Sequence, residues 1–478
     1  MTQIHDSQQR TELHERLHGW VDKSSSGRVR LDQEVFTNPE MFDLEMEYIF
    51  ERNWVFLAHE SQLAKPNDFL TAHVGRESVV LVRTRAGELK CFINACTHRG
   101  ARICRQKSGS AKFFRCSFHG WSFANSGELL DVTDEGDGGY PDDFDKTELG
   151  LHEVLVASYR GFVFASLSGD VLPLEEYLGD AKRFIDLMVQ QSPEDKLEVL
   201  HGTVRYVYHG NWKLQAENGV DGYHAPVVHA NYIRTTGRRA TGDSAYAMQV
   251  GIGDGARPVL GSNRRSTGGG PGTGGFFSFP QGHQLIWGMA GAPDARANSH
   301  IVSWLQQTYG EEAAWWTNKT IRNLLLFPNV FLMDQNGMQI RIVRPLSVNK
   351  TEVISYAIAP VGEAPEIRNL RIRQFEDFMN ATGMATPDDL AEFNNCQIGF
   401  GNGGRRSDIA RGATRWAEGS GQWGAKLGIA ALLSSDAVAD EGLFAELHEE
   451  WLRRMEEALE IEAARALGEH GSKKEPVV

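Results

Sequence analysis

Two short segments of this chain each contain one cysteine and one histidine. Cys96 and His98 lie two positions apart, and Cys116 and His119 follow after a gap of seventeen residues. Two thiolates and two imidazoles are the ligands of a Rieske-type [2Fe-2S] cluster, in which one iron is held by cysteines and the other by histidines. Such a cluster accepts single electrons at roughly -150 to +300 mV. The sequence therefore predicts a one-electron transfer site.

The same four side chains could instead bind one structural zinc ion. Zinc fingers usually pair Cys with Cys and His with His, whereas each segment here supplies one of each, so the spacing favours the iron-sulfur cluster. Gly100 and Gly120 follow the two histidines. They predict tight turns that direct backbone N–H groups towards the cluster sulfurs.

A second candidate metal site is the pair His224 and His229, which follows Asp221 closely. An iron(II) centre that activates oxygen usually combines two histidines with one carboxylate and leaves its other face open. Asp389 is our candidate for that carboxylate, and its neighbour Asp388 is the alternative. Either aspartate could also simply cap a helix N-terminus. A one-electron donor in the same chain favours the iron site, because the electron needs an acceptor.

Composition restricts the classes of function. The chain has 478 residues, a net charge of -14 at pH 7 and 41% hydrophobic residues, so it is long enough for two or more globular domains. The acidic balance argues against binding nucleic acid. No signal peptide or apolar segment long enough to span a membrane is visible. Only five cysteines occur, which is typical of a reducing compartment, and we expect a cytoplasmic protein.

The surrounding elements must position these residues. Runs of β-branched and aromatic residues from Glu51 to Leu167 predict short antiparallel strands with the two cluster segments in loops. From about Val199, strand-like runs (198–215 among them) alternate with helices, which predicts an α+β domain with a mostly antiparallel sheet. The glycine-rich segment 266–275 is predicted to be a flexible loop. The predicted domains are an N-terminal helical segment packing on the catalytic domain (1–50), an all-β cluster domain (51–167) and a catalytic domain (168–478).

Together these motifs resemble the large (α) subunit of Rieske non-haem iron ring-hydroxylating dioxygenases, within the benzoate, toluate, 2-halobenzoate and anthranilate 1,2-dioxygenase group. The resemblance extends from about Gly27 to Trp451. It is carried by the strings FDLEMEYIFERNW, NWKLQAENGVDGYH, LFPNVFLMDQ and IRQFEDFMNATGMATPDDL. It implies a Rieske domain joined to a catalytic domain whose antiparallel sheet is flanked by helices (helix-grip, START-like).

The resemblance also implies roles for individual residues. His224, His229 and Asp389 would hold a mononuclear Fe(II). Asp221 resembles a carboxylate that bridges an iron-ligand histidine to a cluster histidine of the neighbouring subunit. Asn218 resembles a polar residue close to the iron, and Glu217 a buried support.

The implied reaction is cis-dihydroxylation of a benzoate-type aromatic carboxylate by O2, giving a cis-diol carboxylate or a catechol. Electrons would come from NADH through a flavin and iron-sulfur reductase, and a small β subunit would complete an α3β3 assembly. A positioned arginine should bind the substrate carboxylate. The sequence does not rank the seven candidates, which are Arg234, Arg238, Arg239, Arg264, Arg265, Arg341 and Arg344.

Two alternatives stay open at this stage. A monohydroxylase of salicylate-like acids would use the same metal ligands. A simple Rieske electron carrier is disfavoured, because about a hundred residues would suffice for one.

Overall fold

The structure is a computed structural model that describes residues 16–24, 29–241, 272, 274–290, 293–335, 337–401 and 404–466, without the side chains of 137, 236–241 and 466. The described residues form two compact units. One comprises residues 45–174, and the other combines the residues before 45 with those from 175 onwards.

The strands are numbered in chain order. They are β1 Val21–Lys23, β2 Val29–Asp32, β3 Val55–His59, β4 Asp68–Val74, β5 Glu77–Arg83, β6 Leu89–Ile93, β7 Ser108–Ser110, β8 Phe113–Arg115, β9 Ser122–Ala124, β10 Leu129–Asp131, β11 Glu153–Tyr159, β12 Phe162–Ser166, β13 Leu197–Val199, β14 Val204–Tyr208, β15 Gly274–Ser278, β16 Gln284–Met289, β17 Thr320–Leu326, β18 Val330–Asp334, β19 Met338–Ser347, β20 Lys350–Pro360, β21 Arg406–Asp408, β22 Ala417–Glu418 and β23 Leu433–Ser435.

The α-helices are numbered in the same way. They are α1 Pro39–Leu44, α2 Leu174–Leu178, α3 Lys182–Val189, α4 Trp212–Asn218, α5 Ala225–Val228, α6 Ala230–Thr241, α7 Val302–Tyr309, α8 Glu311–Lys319, α9 Pro365–Gln374, α10 Thr386–Phe400, α11 Gly421–Leu427 and α12 Gly442–Ala466. Short π-helical segments occupy Glu45–Glu51, Glu135–Gly139 and Phe375–Met379. Short 3-10 segments occupy Gln33–Phe36, Glu60–Leu63, Lys146–Glu148, Gly179–Ala181, Pro280–Gly282, Pro293–Ala295 and Ser299–Ile301.

Residues 45–174 form an all-β unit. Its larger sheet has the order β3-β12-β11-β6-β5-β4-β7, and a smaller sheet has the order β10-β9-β8. Neighbouring strands pair antiparallel. The two predicted cluster segments lie in the loops that follow β6 and β8, so strand ends hold both of them.

The second unit is built on a long antiparallel sheet. Its order is β13-β20-β19-β18-β17-β16-β15-β23-β22, and β14 also pairs with β20. Helix α12 packs on β15 and β23, and its Trp451 stacks on Trp20 with ring centroids 6.1 Å apart. Strands β1, β2 and β21 form a separate small sheet. The predicted α+β class, with helices against an antiparallel sheet, is confirmed.

Two local predictions were wrong. The strand-like run 198–215 ends in helix α4, because the Asn211 side chain accepts a hydrogen bond from the Lys213 N–H and caps the helix. In the predicted loop 266–275, Gly274 and Gly275 begin β15. A Cβ at Gly275 would lie 2.0 Å from the Ser435 carbonyl oxygen, so this strand pairing requires glycine. Residues 266–271 and 273 lie outside the described residues.

Within the described residues, no helix is both long enough and apolar enough to cross a membrane.

Candidate metal centres

The two loops of the all-β unit share one backbone pattern. The N–H groups of Cys96 and Cys116 each donate to the carbonyl five residues later, at 2.8 Å. The carbonyls of the same cysteines accept from Gly100 at 2.8 Å and from Gly120 at 3.0 Å. Both glycines have positive φ, 71° and 79°, as their predicted turns require. The two loops therefore share one backbone conformation, and each positions one cysteine and one histidine.

These loops bring the four predicted cluster ligands together. The rings of His98 and His119 have centroids 4.6 Å apart, and the thiols of Cys96 and Cys116 lie within hydrogen-bonding reach of each other. Both cysteines are buried, whereas His98 is exposed. Burial raises the pKa of the Cys96 thiol, and Cys116 adds to the rise. Two adjacent buried cysteines fit a site where bound iron stabilises the thiolates.

One residue of this site had no role in the sequence analysis. The indole of Trp121 stacks on His98, with centroids 4.7 Å apart and planes at 11°, and Tyr140 and Phe144 pack against its edges. Trp121 is 3% exposed. The indole thereby restricts the orientation of an otherwise exposed imidazole. In the sequence, the position of Trp121 beside the Cys116 and His119 segment was the only indication of this role.

The second unit brings together the three predicted iron ligands. His224 and His229 lie immediately before and after the one-turn helix α5. Their Nε2 atoms are 3.2 Å apart, and Asp389 Oδ1 lies 3.6 Å from the first and 3.4 Å from the second. Two imidazoles and one carboxylate on a single side are the donor set of a facial iron(II) site.

Helix α10 determines which aspartate reaches the histidines. Asp388 and Asp389 both lie in its first turn, but Asp389 is 8% exposed and Asp388 is not among the three grouped ligands. The amide of Asn218 donates to Asp389 Oδ1 at 3.4 Å. Asn218, the last residue of helix α4, thus contacts the triad through Asp389.

Burial is the largest single influence on the pKa of each triad residue, and it sets the direction of the shift at Asp389 and His229. It raises the pKa of Asp389 to about 6, although His224 and Arg341 oppose the rise. It lowers the pKa of His229 to about 3, and His224 and Arg341 add to that effect. Burial also lowers the pKa of His224, but Asp221 and Asp389 outweigh it, so the pKa is raised. Neutral imidazole next to a buried carboxylate suits a divalent cation, which would compensate the buried charge. The residues therefore fit Fe(II).

Asp221 contacts Nδ1 of His224, the ring nitrogen that is not close to the other two triad residues. Its Oδ2 lies 3.1 Å from Nδ1 of His224, and its Oδ1 accepts a hydrogen bond from the Tyr223 N–H at 2.5 Å. The His224 contact is at ion-pair distance, although it is not aligned as a hydrogen bond. A carboxylate on the second nitrogen of a metal-binding histidine fixes its orientation and tautomer.

Glu217 supports the site from the other side of helix α4. Its Oε1 lies 2.5 Å from Nε2 of His448, which is completely buried in helix α12. At the end of helix α4, the carbonyl of Gly219 accepts a hydrogen bond from the amide of Asn323 at 2.7 Å. His448 gave no signal in the sequence, because it lies 231 positions from its partner.

The structure distinguishes among the seven arginines that are candidates for binding the substrate carboxylate. Arg344 pairs with Glu352 at 3.2 Å, and Arg234 is exposed. Arg341 is 5% exposed and close enough to the triad to affect the pKa of Asp389 and His229. The side chains of Arg238 and Arg239, and all of Arg264 and Arg265, lie outside the described residues.

Comparison with known protein families identifies two domains in this chain. The family "Ring hydroxylating alpha subunit (catalytic domain)" matches residues 196–457, and the "Rieske [2Fe-2S] domain" matches residues 53–149. This chain belongs to the ring-hydroxylating dioxygenase α subunits. It is accordingly an oxidoreductase with a Rieske [2Fe-2S] domain and a mononuclear iron domain, as the sequence predicted.

Its relatives cover almost the whole chain. It is 47% identical to the toluate 1,2-dioxygenase subunit alpha of Pseudomonas putida, over 94% of this chain and 96% of that one. It is 44% identical to the 2-halobenzoate 1,2-dioxygenase large subunit of Burkholderia cepacia, over 91% of each chain. It is 42% identical to the anthranilate 1,2-dioxygenase large subunit of Acinetobacter baylyi, over 94% of each chain. The predicted resemblance to this group is confirmed.

A solved structure has the same fold. Naphthalene 1,2-dioxygenase with indole bound in its active site matches with a TM-score of 0.76 and 26% sequence identity, covering 93% of this chain and 96% of that one.

Proposed function

We propose that this chain is the terminal oxygenase subunit that adds both atoms of O2 to a benzoate-type aromatic carboxylate, giving a cis-diol carboxylate or a catechol. The observation that carries the proposal is the convergence of His224, His229 and Asp389 in a chain that also holds a Rieske domain. The substrate class is supported by the relatives at 42–47% identity, which are named for toluate, 2-halobenzoate and anthranilate.

In this proposal Cys96 and Cys116 hold one iron of the cluster, and His98 and His119 hold the other. His224, His229 and Asp389 hold the mononuclear Fe(II). When bound, the cluster supplies single electrons and the Fe(II) supplies oxygen activation.

The residues around the iron site orient the three metal ligands. Asp221 keeps Nδ1 of His224 protonated, so that its Nε2 is free to coordinate. The Asn218 amide holds the carboxylate of Asp389 from one side. Glu217 fixes helix α4 against helix α12, which keeps Asn218 and the following Asp221 in register. Burial of His229 and Asp389 excludes water from the ligand side of the site.

The partners and organisation belong to the same proposal. We propose that electrons from NADH arrive through a separate reductase, that a small β subunit completes an α3β3 assembly, and that the protein is cytoplasmic. Asp221 would bridge to a cluster histidine of the neighbouring subunit. The proposed domains are those predicted from the sequence, 1–50, 51–167 and 168–478. The compact unit 45–174 and the matched segments 53–149 and 196–457 support that division.

Product analysis with 18O2 tests the reaction. The purified chain is combined with its β subunit, a matched reductase, NADH and a panel of benzoate, 2-chlorobenzoate, anthranilate and salicylate. Two labelled atoms in a cis-diol or catechol from one acid are expected. A single labelled atom would instead assign a monohydroxylase. Absence of turnover by fully metallated protein would refute the substrate class.

A further inference from the structure

Three adjacent strands carry a polar row on one face of the catalytic sheet. On β19 and β20, Arg341 and Ser355 are directly opposite each other, and on β14 Val204 is directly opposite Ser355. Tyr206 lies two residues after Val204, so its side chain projects from the same face. The face therefore presents a guanidinium, an aliphatic hydroxyl and a phenol in neighbouring positions.

This polar row lies next to the predicted iron site. Phe331 of β18 is directly opposite Arg341, and a Cβ placed on Gly219 would lie 2.3 Å from its ring. Gly219 immediately follows Asn218, whose amide contacts Asp389. In agreement with this placement, Arg341 lowers the pKa of Asp389 and also that of His229.

The polar groups of this row lack partners. The guanidinium of Arg341, which is 5% exposed, donates no hydrogen bond and forms no ion pair with any other residue that the structure describes. The buried hydroxyl oxygens of Tyr206 and Ser355 also have no hydrogen-bond partner there. Native structures rarely leave buried polar groups unpaired unless a ligand, an ion or ordered water satisfies them. A buried, unpaired arginine is especially unfavourable.

We infer that Arg341 binds the carboxylate of the substrate, with the hydroxyls of Tyr206 and Ser355 donating hydrogen bonds to the same group. This inference rests on the proposed function and names the residue that selects its substrate class. An arginine guanidinium can donate two parallel hydrogen bonds to one carboxylate, and both hydroxyls can rotate to donate. One anion therefore satisfies every unpaired group of the row.

The subsite selects aromatic acids over neutral rings, because a neutral ring brings no anion to the buried guanidinium of Arg341.

The test measures binding separately from turnover. Calorimetric titration of the oxidised, metallated α and β assembly, without reductase, gives affinities for benzoate and for benzamide, its neutral isostere. The wild type is expected to bind benzoate the more tightly. Arg341→Gln should lose about 30-fold or more of the benzoate affinity, the lower range for removing one partner of a buried charge pair. Its affinity for benzamide should change little.

Arg344→Gln is the matched control. It makes the same change on the same strand, but on the opposite face and in a side chain that already pairs with Glu352. It should retain the preference for benzoate. Steady-state kinetics should show the loss in Arg341→Gln chiefly as a higher KM for benzoate. Tyr206→Phe and Ser355→Ala should each weaken benzoate binding, because each removes one charge-assisted hydrogen bond.

Several outcomes would overturn the inference. One is a benzoate affinity of Arg341→Gln equal to that of the wild type. If that variant does not assemble, unchanged benzoate binding by both Tyr206→Phe and Ser355→Ala decides against the subsite, and so does equal binding of benzoate and benzamide by the wild type. A wild type that binds and oxidises aromatic acids while these variants behave normally refutes the subsite alone. A wild type that binds no aromatic acid refutes the proposed function as well.

Discussion

Oε1 of Glu217 lies 2.5 Å from Nε2 of His448, joining the helix that precedes the iron ligands to the long C-terminal helix. Glu217→Ala would leave that nitrogen of a completely buried histidine without a partner. We expect a loss of about 1–3 kcal/mol in the free energy of unfolding, measured by chemical denaturation. Glu217→Gln keeps an acceptor and should lose less. Equal stability of the alanine variant and the wild type would show that this contact does not anchor helix α4.

Variants of Asp389 and of its neighbour Asp388 provide a test of the iron ligand and its control. Asp389→Ala removes the carboxylate that lies 3.4 Å from His229, so the assembly should lose its mononuclear iron and its activity while the visible spectrum of the Rieske cluster remains. Asp388→Ala should retain the iron, because this side chain lies outside the triad. Iron analysis and electron paramagnetic resonance distinguish the two. Loss of iron in the Asp388 variant alone would reverse the assignment.

The glycines of the two cluster loops should differ in tolerance. Both have positive φ, so alanine costs about 1–2 kcal/mol of backbone strain at either position. At Gly100 a Cβ would meet nothing within 4 Å, but at Gly120 it would lie 2.5 Å from Oγ1 of Thr133, which donates to the His119 carbonyl. Gly120→Ala should therefore reduce cluster content, measured as visible absorbance per protein, more than Gly100→Ala. The opposite order would contradict this account.

Asp334 compensates two buried cations. It pairs with Arg296 at 3.0 Å and with Arg322 at 2.5 Å, and all three side chains are at most 6% exposed. Asp334→Asn should destabilise the fold by about 3–5 kcal/mol, because it leaves buried guanidinium charge uncompensated. Asp294→Asn is the control, since that carboxylate is 99% exposed and pairs loosely with Lys319. Thermal denaturation should separate the two variants clearly, and similar melting temperatures would disprove the argument.

His283 should make the catalytic unit sensitive to acid. Burial lowers its pKa to about 4; the Phe327 N–H donates to its Nδ1, and its Nε2 lies 2.9 Å from the Tyr177 carbonyl. The unfolded state, with a pKa of about 6.5, binds more protons between these values. The contribution of neutral His283 to the stability of the fold is therefore complete above about pH 6.5. It is lost as the pH falls towards 4, by about 3 kcal/mol in all.

The variant His283→Gln tests that linkage. It should be less stable than the wild type at pH 7, because a well-fitted buried group is replaced. Its stability should nevertheless depend less steeply on pH between 6.5 and 4, as followed by unfolding at a series of pH values. A slope as steep as that of the wild type would mean that other groups, such as His59, with a pKa of about 4, determine the acid sensitivity.

The sequence by itself determined the family and the types of residue that would bind the two metal groups. The spacing in the segments around Cys96 and Cys116 is local, and the positive φ of Gly100 and Gly120 follows from the same short loops. The His224 and His229 pair is also local, because a single helical turn separates the two. Such short-range patterns are readable because the chain itself fixes the distances between the residues.

Only the tertiary structure decided which distant residues meet. The choice of Asp389 over Asp388 depends on how helix α10 is rotated, and both residues fit the sequence pattern equally well. The contact between Glu217 and His448 joins residues far apart in the chain, and strand register alone places Arg341 opposite Ser355. A shift of one residue would turn Arg341 to the other face of the sheet. Register and helix rotation are set by packing of the whole core, so the sequence could offer seven arginines but could not rank them.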